Sequence, residues 1–390
     1  MIAEIADGVY FIGAMHWERR LFDELIPLPD GTSYNAYLIK DEKIVLIDTV
    51  DPSKKETLLE ELEELNVKRI DYIVSHHTEQ DHSGAIPDVL EKYGEARVIA
   101  SKIGKELIKE HLLIPEEKIF AVEDGETLSI GRRNLKFIYA PWVHWPETML
   151  SYLEENKILF TCDFFGSHLA TSRIYADENE RVYEAAKRYY AEIMMPFRNK
   201  IKQHIEKLKE LEIKMIAPSH GPIYRKPDFI INAYKNWVSD EVKKEVIVAY
   251  VSMHGSIEKA VRNFVKALEE NNLPYKLFNL AVTDIGELAM ALVDASTLVL
   301  ATPTVLSGMH SLALYAFYLA NALKPKIKFA SLIISYGWGG KVIEQAKSML
   351  KLKAELIEPV VIKGYPKEKD FESLRELARK IAEKHEKLVN

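Results

Sequence analysis

Cysteine is nearly absent: Cys162 is the only one in 390 residues. A single thiol rules out an internal disulfide and fits a reducing cytoplasm. With no Cys-x-x-Cys pair, the chain carries no cysteine-ligated metal module of its own. Apolar runs of membrane-spanning length are also missing, since the longest candidate, Ser311 to Leu323, has helix-core length and includes polar groups. The first residues, MIAEIADGVYFIG, place acids at Glu4 and Asp7 with no basic stretch ahead of an apolar one, so no secretory signal is expected. Positive charge is not in excess. The formal net charge of −7 argues against a nucleic-acid surface and leaves small molecules and compact proteins as partners. No Gly-x-Gly-x-x-Gly precedes a helix, so direct nicotinamide-dinucleotide binding is not expected.

What is present suits two globular domains, each able to bury its own core; 47% of residues are hydrophobic and 28% charged. Up to about residue 222, short β-branched or aromatic runs alternate with turns and helices. Strands are expected at Ala36–Ile39, Ile44–Asp48, Tyr72–Ser75, Arg97–Ala100, Leu135–Tyr139, Ile158–Cys162 and Met215–Ala217. Lys54–Leu65 and Glu180–Glu210 show helical spacing. A connecting helix over 226–244 closes the first domain, 1–244. In 245–390 strand and helix alternate strictly, five times over, which is the pattern of an open parallel sheet covered on both faces.

Four metal-competent side chains, His77, Glu79, Asp81 and His82, fall within Ser75-His76-His77-Thr78-Glu79-Gln80-Asp81-His82, directly after the apolar run IDYIV. A loop at a strand end can turn all four inward. Three distant segments repeat the arrangement, an apolar run ending in a ligand type: His144 after Tyr139-Ala140-Pro141, Asp163 after Ile158 to Cys162, and His220 after Ile216-Ala217-Pro218-Ser219. The carboxyl ends of strands are where sites gather on layered α/β folds.

This pattern, His-x-Glu-x-Asp-His, then His, Asp and Ser-His-Gly, resembles the metallo-β-lactamase superfamily, and more narrowly the flavodiiron (rubredoxin:oxygen oxidoreductase) family, over the whole chain. The resemblance implies an α/β chain: an N-terminal metallo-β-lactamase-like αββα sandwich, then a flavodoxin-like doubly wound parallel five-stranded sheet. It implies one iron held by His77, Glu79, His144 and a bridging Asp163, and a second held by Asp81, His82, Asp163 and His220. Family members differ in whether the position of His82 coordinates directly. Zinc hydrolases of the superfamily typically carry His where Glu79 stands; a carboxylate hardens the site and suits a redox-active iron pair. Zinc would leave a fused flavin domain without an obvious role. His76 is expected to support the site without binding metal. Cys162, on a strand next to Asp163, is expected to point away from the metals. Trp142 and Trp145 flank His144. His16, Trp17, Tyr189 and Tyr190 resemble positions near the family's substrate pocket. His111, His168, His204 and His385 have no motif around them and read as surface or structural residues.

In the second domain, Ser252-Met253-His254-Gly255-Ser256-Ile257 lies between the first strand and the first helix. Hydroxyls and a glycine there let backbone N–H groups and a helix N-terminus wrap a phosphate without a basic residue. Flavodoxins hold the FMN phosphate in such a loop, although their pattern usually ends in Ser or Thr where Ile257 stands. Two more strand-end loops, Thr302-Pro303-Thr304-Val305-Leu306-Ser307-Gly308 and Ser335-Tyr336-Gly337-Trp338-Gly339-Gly340, correspond to those that bracket the isoalloxazine ring.

A flavin joined to a diiron site implies reduction of a small acceptor at the metals. By resemblance that is O2 reduced to water, NO reduced to N2O, or both, with O2 favoured and a primary NO reductase as the alternative. A zinc hydrolase with an accessory flavodoxin-like domain is the rival from another class, followed by a non-catalytic electron-transfer or gas-sensing flavoprotein. Electrons would come from outside, from a separate rubredoxin first and a reduced deazaflavin second. The resemblance also implies a head-to-tail homodimer, or a dimer of such dimers.

Overall fold

In the strand Ile44–Ile47, Leu46 faces one core while Val45 and Ile47 face another, and the same split recurs at Ile73 and Val74 and at Val98 and Ile99. Side chains two residues apart share a face, so a strand apolar on both faces must be covered on both. A computed structural model of the chain describes residues 1–339, 341–349, 351 and 353–388. It divides the chain into two compact units, Met1–Tyr190 with Phe197–Val238, and Ala191–Pro196 with Ser239–Asn390.

Beside a small two-stranded sheet, Leu21–Phe22 with Ile26–Pro27, the first unit holds two large sheets. In one, Ala3–Ala6, Val9–His16, Thr32–Lys40, Ile44–Ile47, Tyr72–Val74, Arg97–Ser101 and Ile119–Val122 lie side by side in sequence order. In the other, Thr127–Ser129, Asn134–Tyr139, Met149–Leu153, Ile158–Cys162 and Met215–Pro218 do the same. Phe11, Tyr37, Val74, Phe137 and Phe160 belong to one core formed by the two facing sheets. Leu58 and Leu62 of helix Lys55–Glu64 and Ile108 of helix Lys102–Leu112 pack on the outer face of the first sheet. This is an αββα sandwich. The helical spacing over Glu180–Glu210 resolves into two helices, Val182–Tyr189 and Arg198–Leu208, joined by a wide helical turn over Tyr190–Met194 and a tight one over Met195–Phe197. Pro196 has no N–H with which to continue a regular helix.

In the second unit all five main strands are parallel, in the order Tyr275–Asn279, Lys243–Tyr250, Ala295–Val305, Phe329–Tyr336, then an edge strand in two pieces. Glu355–Leu356 and Val360–Lys363 pair with successive stretches of the same neighbour. Pro359, at the break, cannot donate to a ladder. In chain order this is 2-1-3-4-5, the flavodoxin-like winding, with a binding crevice expected where the order reverses, between the first and third strands. The first strand begins at Lys243 and the unit at Ser239, both earlier than residue 245. Val246 and Val248 face a core shared with helices Ser256–Glu270 and Glu368–Glu386; Ile247 and Ala249 face the core of the opposite side. Among the described residues no helix is long and apolar enough to cross a membrane.

Candidate metal centre and cofactor loops

The first unit's strands deliver their chemistry at their carboxyl ends. Tyr72–Val74 runs into His76 and His77, and the helical turn Gln80–Ser83 then carries Asp81 and His82. That turn is pinned by Thr49, whose amide and hydroxyl both donate to the His82 carbonyl at 2.7 and 2.6 Å. Asp48 ties the two sheets together. Its carboxylate accepts the His76 amide at 2.9 Å and ring Nδ1 at 2.7 Å, and the Ser219 hydroxyl at 3.2 Å. His76 Nε2 meets Ser151 Oγ at 2.8 Å, so neither nitrogen of His76 is free for a metal. His220 is aimed by its Nδ1, 2.6 Å from the Ser33 carbonyl. The following Gly221 has φ +75°, and a Cβ there would run into Ser167, so glycine is required.

Two groups of ligand atoms result, each with all its atoms within 4.8 Å of one another: His77, Glu79, His144 and Asp163, and Asp81, His82 and His220. Asp163 faces both. Its Oδ2 lies 3.5 Å from His77 Nε2 and 3.3 Å from His144 Nε2; its Oδ1 lies 2.9 Å from His82 Nε2 and 3.4 Å from His220 Nε2. Glu79 Oε2 approaches His77 and His144 at 3.0 and 3.1 Å, and Asp81 Oδ2 approaches His220 at 3.0 Å. Despite these approaches, both oxygens of Asp81, Oδ2 of Asp163, and Nε2 of His82 and His220 are buried without a hydrogen bond among the described residues. Buried polar atoms left this way are costly. Such convergence of lone pairs is what cation ligands require, and the donor set fits a pair of divalent ions.

The electrostatics agree. Burial alone would lower the histidine pKa values, but Asp163 and Glu79 raise His144 to about 9, and Asp163 and Asp81 raise His220 to about 10. Burial would likewise raise Asp163, yet His82, His144 and His220 hold it well below the usual carboxylate range. Glu79 is lowered in the same way by His144 and His77. Each imidazolium here stands in for positive charge that a metal would supply.

Of the neighbouring residues, Glu147 and Asp23 carry no sequence signal. Glu147 is buried, and its Oε1 holds His77 Nδ1 at 2.7 Å and the Thr78 amide at 3.0 Å. Tyr189 donates its hydroxyl to Asp163 Oδ1 at 2.7 Å, whereas Tyr190 turns to the Trp237 carbonyl at 3.3 Å. His168 is buried against His220 and Tyr189, with ring centroids 4.9 and 4.8 Å away. Trp145 packs edge-on to His77 at 4.9 Å, while Trp142 is exposed. His16 Nδ1 lies 3.4 Å from the Tyr34 hydroxyl, and Trp17 is exposed. On the turn between Leu21–Phe22 and Ile26–Pro27, Asp23 is pushed up to about 6 by partial burial and by the charges of Glu79 and Asp81. Cys162 departs from expectation. The ladder shifts register between Phe160 and Cys162, whose φ is +50°, so alternation fails and its sulfur lies within 4.8 Å of ligand atoms of His82 and Asp163. Burial drives its thiol pKa well up.

In the second unit, Ser252 Oγ accepts the Glu258 amide at 3.2 Å, and Gly255, at φ +82°, turns the chain into helix Ser256–Glu270. Ser256 Oγ lies 3.2 Å from Ser335 Oγ, which brings the first loop to the third. The second loop differs from expectation. Its strand continues through Val305, and only Leu306 and Ser307, both with positive φ, form the turn to Gly308–Met309. The Lys341 amide donates to the Ser307 carbonyl at 3.1 Å, joining the second and third loops. Leu306 and Trp338 stand 93% and 75% exposed. Gly340 lies outside the described residues.

A family profile described as ODP family beta lactamase matches residues 32–221. The nitric oxide reductase of Moorella thermoacetica is 34% identical over 388 residues, 97% of each chain. The chain belongs to the flavodiiron protein family. Among solved structures, rubredoxin oxygen:oxidoreductase from Desulfovibrio gigas matches with TM-score 0.94 and 29% identity over 99% of each chain. The flavodiiron protein of Giardia intestinalis matches with TM-score 0.90 and 28% identity, over 99% of this chain and 98% of its own. In this flavodiiron chain, Ile257 is fully buried in the core beneath its helix, so the hydroxyl absent there is replaced by packing.

Proposed function

We propose that this flavodiiron chain is an oxidoreductase that reduces O2 to water at two irons, with electrons delivered through FMN from an external donor such as rubredoxin. The observation that carries the reading is the double exposure of Asp163, one oxygen toward each ligand group. His77, Glu79, His144 and Asp163 would hold one iron, and Asp81, His82, His220 and Asp163 the other. Three carboxylates against two ferrous ions leave about one positive charge, which one small bound anion would balance. Iron bound there supplies open coordination positions and reversible electron transfer. The chain's own residues do the rest: Glu147 and the Ser33 carbonyl orient two imidazoles, Tyr189 holds Asp163, and Trp145 with Phe22 shields the centre from bulk water.

FMN would bind over the Ser252–Ile257 loop, its phosphate at the N-terminus of helix Ser256–Glu270 and its ring between the exposed Leu306 and Trp338 loops. A cytoplasmic, head-to-tail homodimer belongs to the same proposal. A second reading, primary NO reduction, is favoured by the similarity to the Moorella nitric oxide reductase. Anaerobic initial-rate assays with reduced rubredoxin separate them. Faster consumption of O2 than of NO is expected. Turnover of NO well above that of O2 selects the second reading, and turnover of neither by fully loaded protein overturns both.

A further inference from the structure

His168 has one nitrogen in use and one without a partner among the described residues. Thr32 Oγ1 lies 2.9 Å from its Nδ1, while the hydroxyl's other contact, the Ser33 carbonyl, is a long 3.4 Å. The hydroxyl proton therefore goes to Nδ1, which places the ring's own proton on Nε2. Nε2 is buried and finds no hydrogen-bond partner among the described residues. Protonation of the ring would not change this, because Nε2–H donates in either state.

The surroundings say what it could donate to. The ring is 7% exposed and is packed by Phe22, Tyr189 and His220, with centroids 5.0, 4.8 and 4.9 Å away. The charges acting on it are those of His220, Asp163, Glu79 and His82, which come from both ligand groups. A buried donor with no acceptor is a standing cost in the protein alone. A small electronegative atom held at the metals would remove it.

We propose that His168 donates a hydrogen bond from Nε2 to a small anion or diatomic molecule bound at the metal pair. It does not ligate the metals. The inference rests on the two-iron reading above.

Azide is the probe, titrated into iron-loaded protein and followed by ligand-to-metal charge-transfer absorption, with iron measured in every sample. His168→Phe keeps an aromatic ring but no donor and should raise the azide Kd about tenfold at unchanged iron content. His168→Gln, which can still present an N–H, should stay within about threefold of the native chain. Unchanged azide affinity in His168→Phe at full iron overturns the inference alone, as does a glutamine variant as weak as phenylalanine. Should His168→Phe fail to take up iron, Thr32→Val carries the test, because it removes only the hydroxyl that sets the tautomer: weaker azide binding supports the proposal and unchanged binding overturns it. Native protein that binds no iron overturns the two-iron reading, and this inference with it.

Discussion

Nδ1 of His77 lies 2.7 Å from Oε1 of Glu147, and the same oxygen accepts the amide of Thr78 at 3.0 Å. One buried carboxylate thereby fixes both the tautomer of a candidate ligand and the loop that carries it. Nε2 of His77 is left as the lone pair facing Glu79 and Asp163. Partners of this kind are typically worth about 10–100-fold in metal affinity. Glu147→Ala should therefore weaken metal binding at the His77 group by about that factor, as measured by chelator competition. Glu147→Gln, which can still accept from Nδ1, should lose less. Native affinity in the alanine variant would show that His77 is held by other means.

Candidate ligands at the ends of apolar runs are legible in the sequence because a strand followed directly by His or Asp reads locally. Asp163 after Ile158–Cys162 and His220 after Met215–Pro218 are of this kind. Glu147 and His168 were not legible, since their roles depend on which distant segment packs against them: His77 for the first, Thr32 and His220 for the second. Cys162 was misread because alternation holds only while the backbone stays extended, and its φ of +50° ends that. In the second unit the alternation of strand and helix gave a parallel sheet covered on both faces, whereas the strand order depends on which strands pair. The split edge strand around Pro359 and the extension of the third strand to Val305 depend on pairing, which local pattern does not encode.

The metal-free protein should be sensitive to alkali. His144 and His220 have folded pKa values of about 9 and about 10, above the ordinary histidine value of roughly 6.5. A raised folded value means stabilisation that is complete below about pH 6.5 and lost as pH rises through about 9 to 10, on the order of a few kcal/mol. The depressed values of Asp163 and Glu79 act in the opposite sense, with stabilisation present above about pH 4 and lost in acid. Bound metal displaces the imidazolium protons, so uptake should release protons and abolish the alkaline loss. Thermal melts of chelator-treated and iron-loaded protein between about pH 7 and pH 10 test this. Chelator-treated protein that is more stable at the alkaline end would contradict it.

Ser252 and Ser256 should matter for flavin and not for iron. Ser252 Oγ caps the Glu258 amide, and Ser256 Oγ sits against Ser335, so both lie at the start of the helix proposed to hold the phosphate. Each serine-to-alanine change should weaken FMN binding by about 1–3 kcal/mol if its hydroxyl bonds the charged phosphate. Fluorescence titration of the flavin-free protein measures the loss. Unchanged affinity in the double variant would place the phosphate elsewhere.

The central claim, a two-iron centre served by a flavin in one chain, is tested most directly by metal and flavin content. Protein purified anaerobically from an iron-replete host should contain about two irons and about one FMN per chain. Asp163→Asn, which alters the one carboxylate facing both ligand groups, should lose iron from both while keeping FMN. Stoichiometric zinc with no flavin in the native protein, or a full iron complement in Asp163→Asn, would contradict the account.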